Sequence, residues 1–164
     1  MGCFMRTLAL KLFNRRNRPS FSYVENDKEV TALIDTGAET PVWCSGEDDF
    51  LEAYPDAIKK GWDSDIHGFG MESEKGAVYV IPEFRLTDGK ETYKIKNLQV
   101  AVCFHPKIGY DFVMSDTMFY RADTYIHRMN DRYVEIFFEK EEYQCVSKRG
   151  NGTFSIVVFS QEEN

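Results

Sequence analysis

Residues 30–38 read Val30-Thr31-Ala32-Leu33-Ile34-Asp35-Thr36-Gly37-Ala38, and the fold of the chain turns on how they are read. Five apolar and β-branched residues, too few for a helix, predict a short buried strand. A carboxylate follows at once, and Gly37 permits a tight turn that lets a neighbouring backbone come close. The Thr36 hydroxyl is suited to holding that turn. On the plain reading Asp35 ends a strand and caps a turn. On the sharper one the strand delivers Asp35 to a site, and the surroundings decide between them.

Upstream, 21–24 and 29–34 flank Glu25-Asn26-Asp27-Lys28, a polar cluster with turn chemistry, so the two runs predict a β-hairpin with Asp35 at its exit. Downstream comes the apolar pair Val42-Trp43. Acids early and lysines late predict a short helix within 47–60, which Pro55 must bend or divide and Gly61 would stop. The stretch 62–76, around Ile66-His67-Gly68-Phe69-Gly70, reads as a mobile glycine-rich loop mounted on a strand over 77–86. Asp88-Gly89 is a hairpin signal between that strand and two more, at 92–95 and 98–104.

Beyond Pro106, the segment 110–115 predicts a buried strand running into a short helix with Met118 and Phe119, capped by Ser115 or Asp116. A hairpin is expected over 124–138 around Asn130-Asp131, and a last strand over 153–159. The expected class is all-β, mainly β with one or two short helices, in a meander topology.

Composition sets limits. At 164 residues the chain has room for one core and one domain. Twenty Lys and Arg against 27 Asp and Glu give −7; five of the basic residues and no acid fall in 1–20, so the rest carries −12. A basic N-terminal arm, 1–20 and partly ordered, is thus expected before an acidic domain over 21–160. The arm reads as a solvated tail, and the acidic body argues against nucleic acid as a partner. Cys3, Cys44, Cys103 and Cys145 form no Cys-x-x-Cys pair, 7–13 is too short for a secretory core, and no run approaches the roughly 20 residues of a membrane span. A cytoplasmic, soluble protein with reduced thiols and no membrane partner is the expectation. Cys103-Phe104-His105 matches no common metal-ligand spacing.

Taken together, Asp35-Thr36-Gly37-Ala38, the later Tyr110-Asp111-Phe112-Val113-Met114-Ser115-Asp116-Thr117-Met118-Phe119 and the hairpin after it resemble the retropepsin-like aspartic peptidases, over about residues 21–140. That family usually reads aromatic-Asp-x-Ile-Leu-Gly-x-Asp-x-Leu in the second segment, a strand whose apolar pair lies behind the active-site loop. Val113 and Met114 match the pair. Ser115 stands where the family has Gly, and its side chain would crowd the Asp35 loop if the backbone there needs positive φ. The resemblance implies a closed, barrel-like acid protease fold. It also implies a flap over 66–76, with Gly68, Phe69, Gly70 and Ala38 contacting an extended peptide.

It further implies an aspartic endopeptidase without metal or cofactor, in which Asp35, Thr36 and Gly37 form the catalytic turn. Such hydrolysis needs two carboxylates sharing one proton around a water, one as general base and one as acid. The chain has no second Asp-Thr-Gly or Asp-Ser-Gly; Asp63-Ser64-Asp65 lacks the glycine. The second Asp35 is therefore expected from a second copy, in a two-fold homodimer. Ala38 replaces the Ser common in pepsin-like enzymes, whose hydroxyl stabilises the ionised pair, so activity toward mildly acidic or near-neutral pH is implied. Two other readings stand beside this one. A phosphoryl-transfer Asp of the haloacid-dehalogenase type needs a second acid at 37, which is Gly, and alternating strands and helices. A catalytically inactive dimerisation or peptide-binding module would keep the fold and lose the chemistry.

Overall fold

Strands Arg18–Glu25 and Lys28–Asp35 are joined by two residues, Asn26 and Asp27, both at positive φ (50° and 63°). Glu25 faces Lys28 across the turn. Asn and Asp tolerate this backbone at little cost, and paired positive φ gives the primed turn whose twist matches a hairpin. The strand carrying Asp35 is thereby aligned by local chemistry alone.

The computed structural model describes residues 6–15, 18–35, 40–68, 71–106, 109–119, 125–128, 133–150 and 153–160. In chain order these form β1 Arg6–Lys11, β2 Phe13–Arg15, β3 Arg18–Glu25, β4 Lys28–Asp35, β5 Val42–Trp43, α1 Glu47–Ala53, β6 Ile58–Gly68, β7 Met71–Thr87 and β8 Thr92–Cys103. β9 Phe112–Ser115, one 3-10 turn Asp116–Met118, β10 Tyr125–Arg128, β11 Tyr133–Phe138, β12 Tyr143–Gly150 and β13 Thr153–Ser160 complete the series. The chain is mainly β with one short helix. A large sheet runs in the order β13-β12-β8-β5-β9-β4-β3-β2, with β7 on β8 and β6 on β7 as a branch, and β1-β11-β10 make a second sheet. Among the described residues these ladders run as an open path between β2 and β13.

The meander expectation needs correcting. β4 pairs with β9, β5 with β8 and β12 with β8 in parallel, so the chain crosses over three times. The expected helix over 47–60 stops at Ala53, before Pro55, whose missing N–H and clash with the preceding turn end it; Ile58, Lys59 and Lys60 already lie in β6. The stretch expected as a glycine-rich loop is the β6–β7 hairpin, paired from Ile58↔Val80 to Gly68↔Met71 with register shifts between Lys59 and Asp63 and between Ile66 and Gly68. The strands expected at 92–95 and 98–104 are one, β8, bent at Asn97, which takes φ 56°. There the buried side chains change phase from Tyr93 and Ile95 to Leu98, Val100 and Val102. β7 changes phase with it at Pro82, from Ala77, Tyr79 and Ile81 to Phe84 and Leu86.

The main core holds Phe21, Trp43, Phe50, Phe84 and Phe112, with Trp43 packed edge-on to Phe50 at 5.5 Å between ring centres. The basic arm is not a solvated tail: β1 pairs with β11 (Leu8↔Ile136) and puts Leu8 and Leu10 into this core, with Leu12 just beyond its end joining them. Helix α1 is too short to be stable alone. Phe50 and Ala53 anchor it, and Glu47 ties its first turn to the β6–β7 pair, where Tyr79 Oη donates to Glu47 Oε2 at 2.6 Å and Lys59 Nζ lies 3.0 Å away. Burial pushes the Glu47 carboxyl up, but the hydrogen bonds from Tyr79 and Lys59 outweigh it and hold the group below its ordinary value.

Two outcomes follow from this packing. Leu8→Ala, at a fully buried site, is expected to cost about 2–5 kcal/mol in denaturant unfolding, whereas a solvated arm would lose almost nothing. Because the folded Glu47 carboxyl is depressed, its stabilisation is present above the ordinary carboxylate pKa and is lost as pH falls through the folded value. Glu47→Gln should therefore flatten the decline in thermal stability between about pH 5 and pH 3, and an unchanged decline would show that Glu47 does not contribute it.

Candidate active site

Alternation along β4 divides its side chains. Val30, Ala32 and Ile34 pack on the main core, whereas Leu33 joins Cys44, Tyr110, Val113 and Val42 in a smaller apolar cluster on the opposite face. Asp35, two residues beyond Leu33, falls on that second face at the end of the strand. β9 lies beside it in parallel register, Leu33↔Val113 and Asp35↔Ser115, and β5 borders the other edge of β9 with Val42↔Val113. The Asp35 strand thus ends next to an apolar row formed by Leu33, Val113 and Val42.

The entry to β9 is fixed by Asp111. Its Oδ2 accepts from the Thr31 backbone N–H at 2.8 Å, its Oδ1 accepts from Ser45 Oγ at 2.6 Å, and its own N–H donates to the Thr31 carbonyl at 2.9 Å. One carboxylate therefore links β4, the start of β9 and the segment after β5. A lone acid between two aromatics ahead of an apolar strand was its sequence signal, and the resemblance alone gave it no such role.

Ser115 is fully buried, and its Oγ lies 2.6 Å from Thr117 Oγ1. Among the described residues positive φ outside glycine occurs at Asn26, Asp27 and Asn97 only, so Ser115 sits in ordinary strand backbone. The crowding expected from a side chain at this position does not arise, because the backbone does not require glycine and the hydroxyl has a partner.

The flap expectation corresponds to the β6–β7 hairpin. β7 leaves β8 at Gly76, which faces Cys103 and where a Cβ would run into the Val102 carbonyl; glycine is required for that close approach. Beyond Gly76 the hairpin continues as two strands, and its Ile66 side chain packs with Ala101 and Cys103 on the same sheet face as Val42. Gly68 is the last residue of β6, opposite Met71. Of the other expected site residues, Thr36, Gly37, Ala38, Phe69 and Gly70 lie outside the described residues. Cys44, Cys103 and Cys145 are buried thiols outside any disulfide, and burial pushes the Cys145 thiol up to about 11 against a hydrogen bond from the Gln99 backbone.

No protein-family model and no curated protein matches the chain. Among solved structures it is similar to a retropepsin-like aspartic protease from Rickettsia conorii, with a TM-score of 0.52 over 84% of this chain and 94% of that one, at 14% identity. The fold is retropepsin-like. Within it, the strand ending at Asp35 lies beside β9, with a long hairpin branching from the neighbouring part of the sheet. No helix among the described residues is long and apolar enough to cross a membrane.

The bridging role of Asp111 can be measured. Asp111→Ala removes a charged acceptor from two donors and is expected to cost about 1.5–3 kcal/mol of unfolding free energy, while Asp111→Asn, which keeps one acceptor oxygen, should cost less. Equal and negligible losses would show that β4 and β9 stay aligned without it.

Proposed function

We propose that the chain is an aspartic endopeptidase that acts as a two-fold homodimer, each copy contributing one Asp35. The observation that carries this reading is the position of Asp35 at the end of β4, beside β9, in a retropepsin-like fold whose sequence holds one Asp-Thr-Gly. In the dimer the two carboxylates share a proton around a water. One takes a proton from the water as it attacks the peptide carbonyl, and the other donates to the carbonyl oxygen. Thr36 and Gly37 hold the turn, and Thr36 from the two copies braces the paired loops.

The β6–β7 hairpin serves as the flap, closing over an extended peptide and excluding water, and Gly68, Phe69, Gly70 and Ala38 contact that peptide. Leu33, Val42 and Val113, next to Asp35 on the same face, offer it an apolar surface. Buried thiols outside any disulfide suit work in the cytoplasm. Ser115, outside positive φ and with its hydroxyl paired to Thr117, supports the catalytic reading over an inactive module.

Cleavage of a peptide library, together with sedimentation of wild type and Asp35→Asn, tests this. Asp35→Asn is expected to slow cleavage by at least about 10²-fold and leave the dimer intact. Activity should extend to mildly acidic or near-neutral pH; activity confined below about pH 4, the ordinary carboxyl range, would count against the role given to Ala38. A protein that is monomeric at every working concentration, or cleavage that survives Asp35→Asn, would refute the dimeric site.

A further inference from the structure

Three side-chain polar atoms among the described residues are buried without a hydrogen-bond partner: Trp43 Nε1, Asp49 Oδ2 and Gln99 Oε1. Trp43 is a main-core residue, and the other oxygen of Asp49 is paired with Lys28 beside α1. Gln99 differs in where it points. The bend at Asn97 sends Leu98, Val100 and Val102 into the core, so Gln99, Ala101 and Cys103 take the opposite face, which is the face of Asp35.

The ladders place it more closely. Val42 is opposite both Val113 and Ala101, so Leu33, Val113, Val42, Ala101 and Val78 form one row across the sheet. The Ala101 N–H donates to the Pro41 carbonyl at 3.0 Å, so the β5–β8 register continues toward Thr40. Two residues along, the next row runs Asp35, Ser115, Thr40, Gln99 and Val80, with Asp35↔Ser115 and Val80↔Gln99 paired directly. Gln99 stands three strand spacings from Asp35, about 14 Å. An extended peptide lying along that row covers this distance in about four residues.

We propose that Gln99 is a specificity-determining residue: its side-chain oxygen accepts a hydrogen bond from a donor-bearing substrate side chain about four residues from the scissile bond. This rests on the peptidase reading above. A buried acceptor without a partner costs free energy, and a ligand that supplies the donor recovers it, so peptides with Ser, Thr, Asn, Gln, Lys or Arg at that position are favoured over isosteric apolar ones. Because the site is two-fold, the preference holds on both sides of the cut.

The test profiles wild type, Gln99→Leu and Gln99→Glu for cleavage of peptides varied at that position. The same peptides are titrated onto Asp35→Asn with and without Gln99→Leu. We expect wild type to favour donor side chains about tenfold, Gln99→Leu to lose that preference, and Gln99→Glu to shift it toward Lys and Arg. Cleavage that stops in Asp35→Asn but shows the same profile in wild type and Gln99→Leu would overturn the role of Gln99 and leave the peptidase reading intact. Absence of both cleavage and peptide binding in every variant would overturn the peptidase reading, and the role of Gln99 with it.

Discussion

β9 lies between β4 and β5, parallel to one and antiparallel to the other, and the candidate site depends on that insertion. Four residues, all buried, supply both faces: Phe112 and Met114 complete the main core, while Val113 and Ser115 back the second face. A strand buried on both sides has no water for its backbone groups, so its ladders must be filled from both neighbours. Their register then becomes rigid, and a slip of one residue would turn Phe112 and Met114 out of the core. Asp35 takes its position from this constraint, since the residue beside it, Ser115, is fixed by the packing of the two residues before it.

Much of this was legible locally. The strand ending in Asp35, the hairpin before it and the apolar pair Val113-Met114 are encoded within a few residues of one another, in β-branched runs and in Asn-Asp turn chemistry. The parallel pairings were not, because nothing in the local pattern of β5 or β12 records that its partner is β8, more than forty residues away in each case. β6 was misread for a related reason: Gly61, Ser64, Asp65 and Gly68 have poor strand propensity, and a partner strand, β7, overrides it. The arm was misread because its charges dominate its composition, although Leu8, Leu10 and Leu12 alternate with a strand period and all three are buried. Asp35 ends a strand as its local pattern predicted, and Gly68 lies in strand β6 instead of a loop. Gln99 was missed, though a single polar residue inside Leu98-Gln99-Val100-Ala101-Val102 is a signal for a buried strand with something to bind on one face.

Ser115 shows how a departure from a motif is to be weighed. Glycine is irreplaceable where φ is positive or where a neighbour comes closer than a Cβ allows, as at Gly76 against Val102. Neither condition holds at Ser115, which has strand backbone and a hydroxyl paired with Thr117. A burial cost arises only if the added polar atom is left unpaired, and here it is not. The substitution therefore carries little weight against catalysis, and the objection it raised from sequence concerned a backbone conformation that the chain does not adopt.

A different constraint bears on function more heavily. One carboxylate at the end of one strand cannot act as base and acid at once, and the fold offers no second Asp-Thr-Gly to complete it. Two carboxylates brought together repel unless a proton is shared between them, so the pairing that would create the proposed chemistry also opposes assembly at high pH. The stabilisation of such a dimer must come from elsewhere in its interface. Activity would then depend on protein concentration as well as on pH, which is a simple way for a small chain to keep a peptidase silent until enough copies are present.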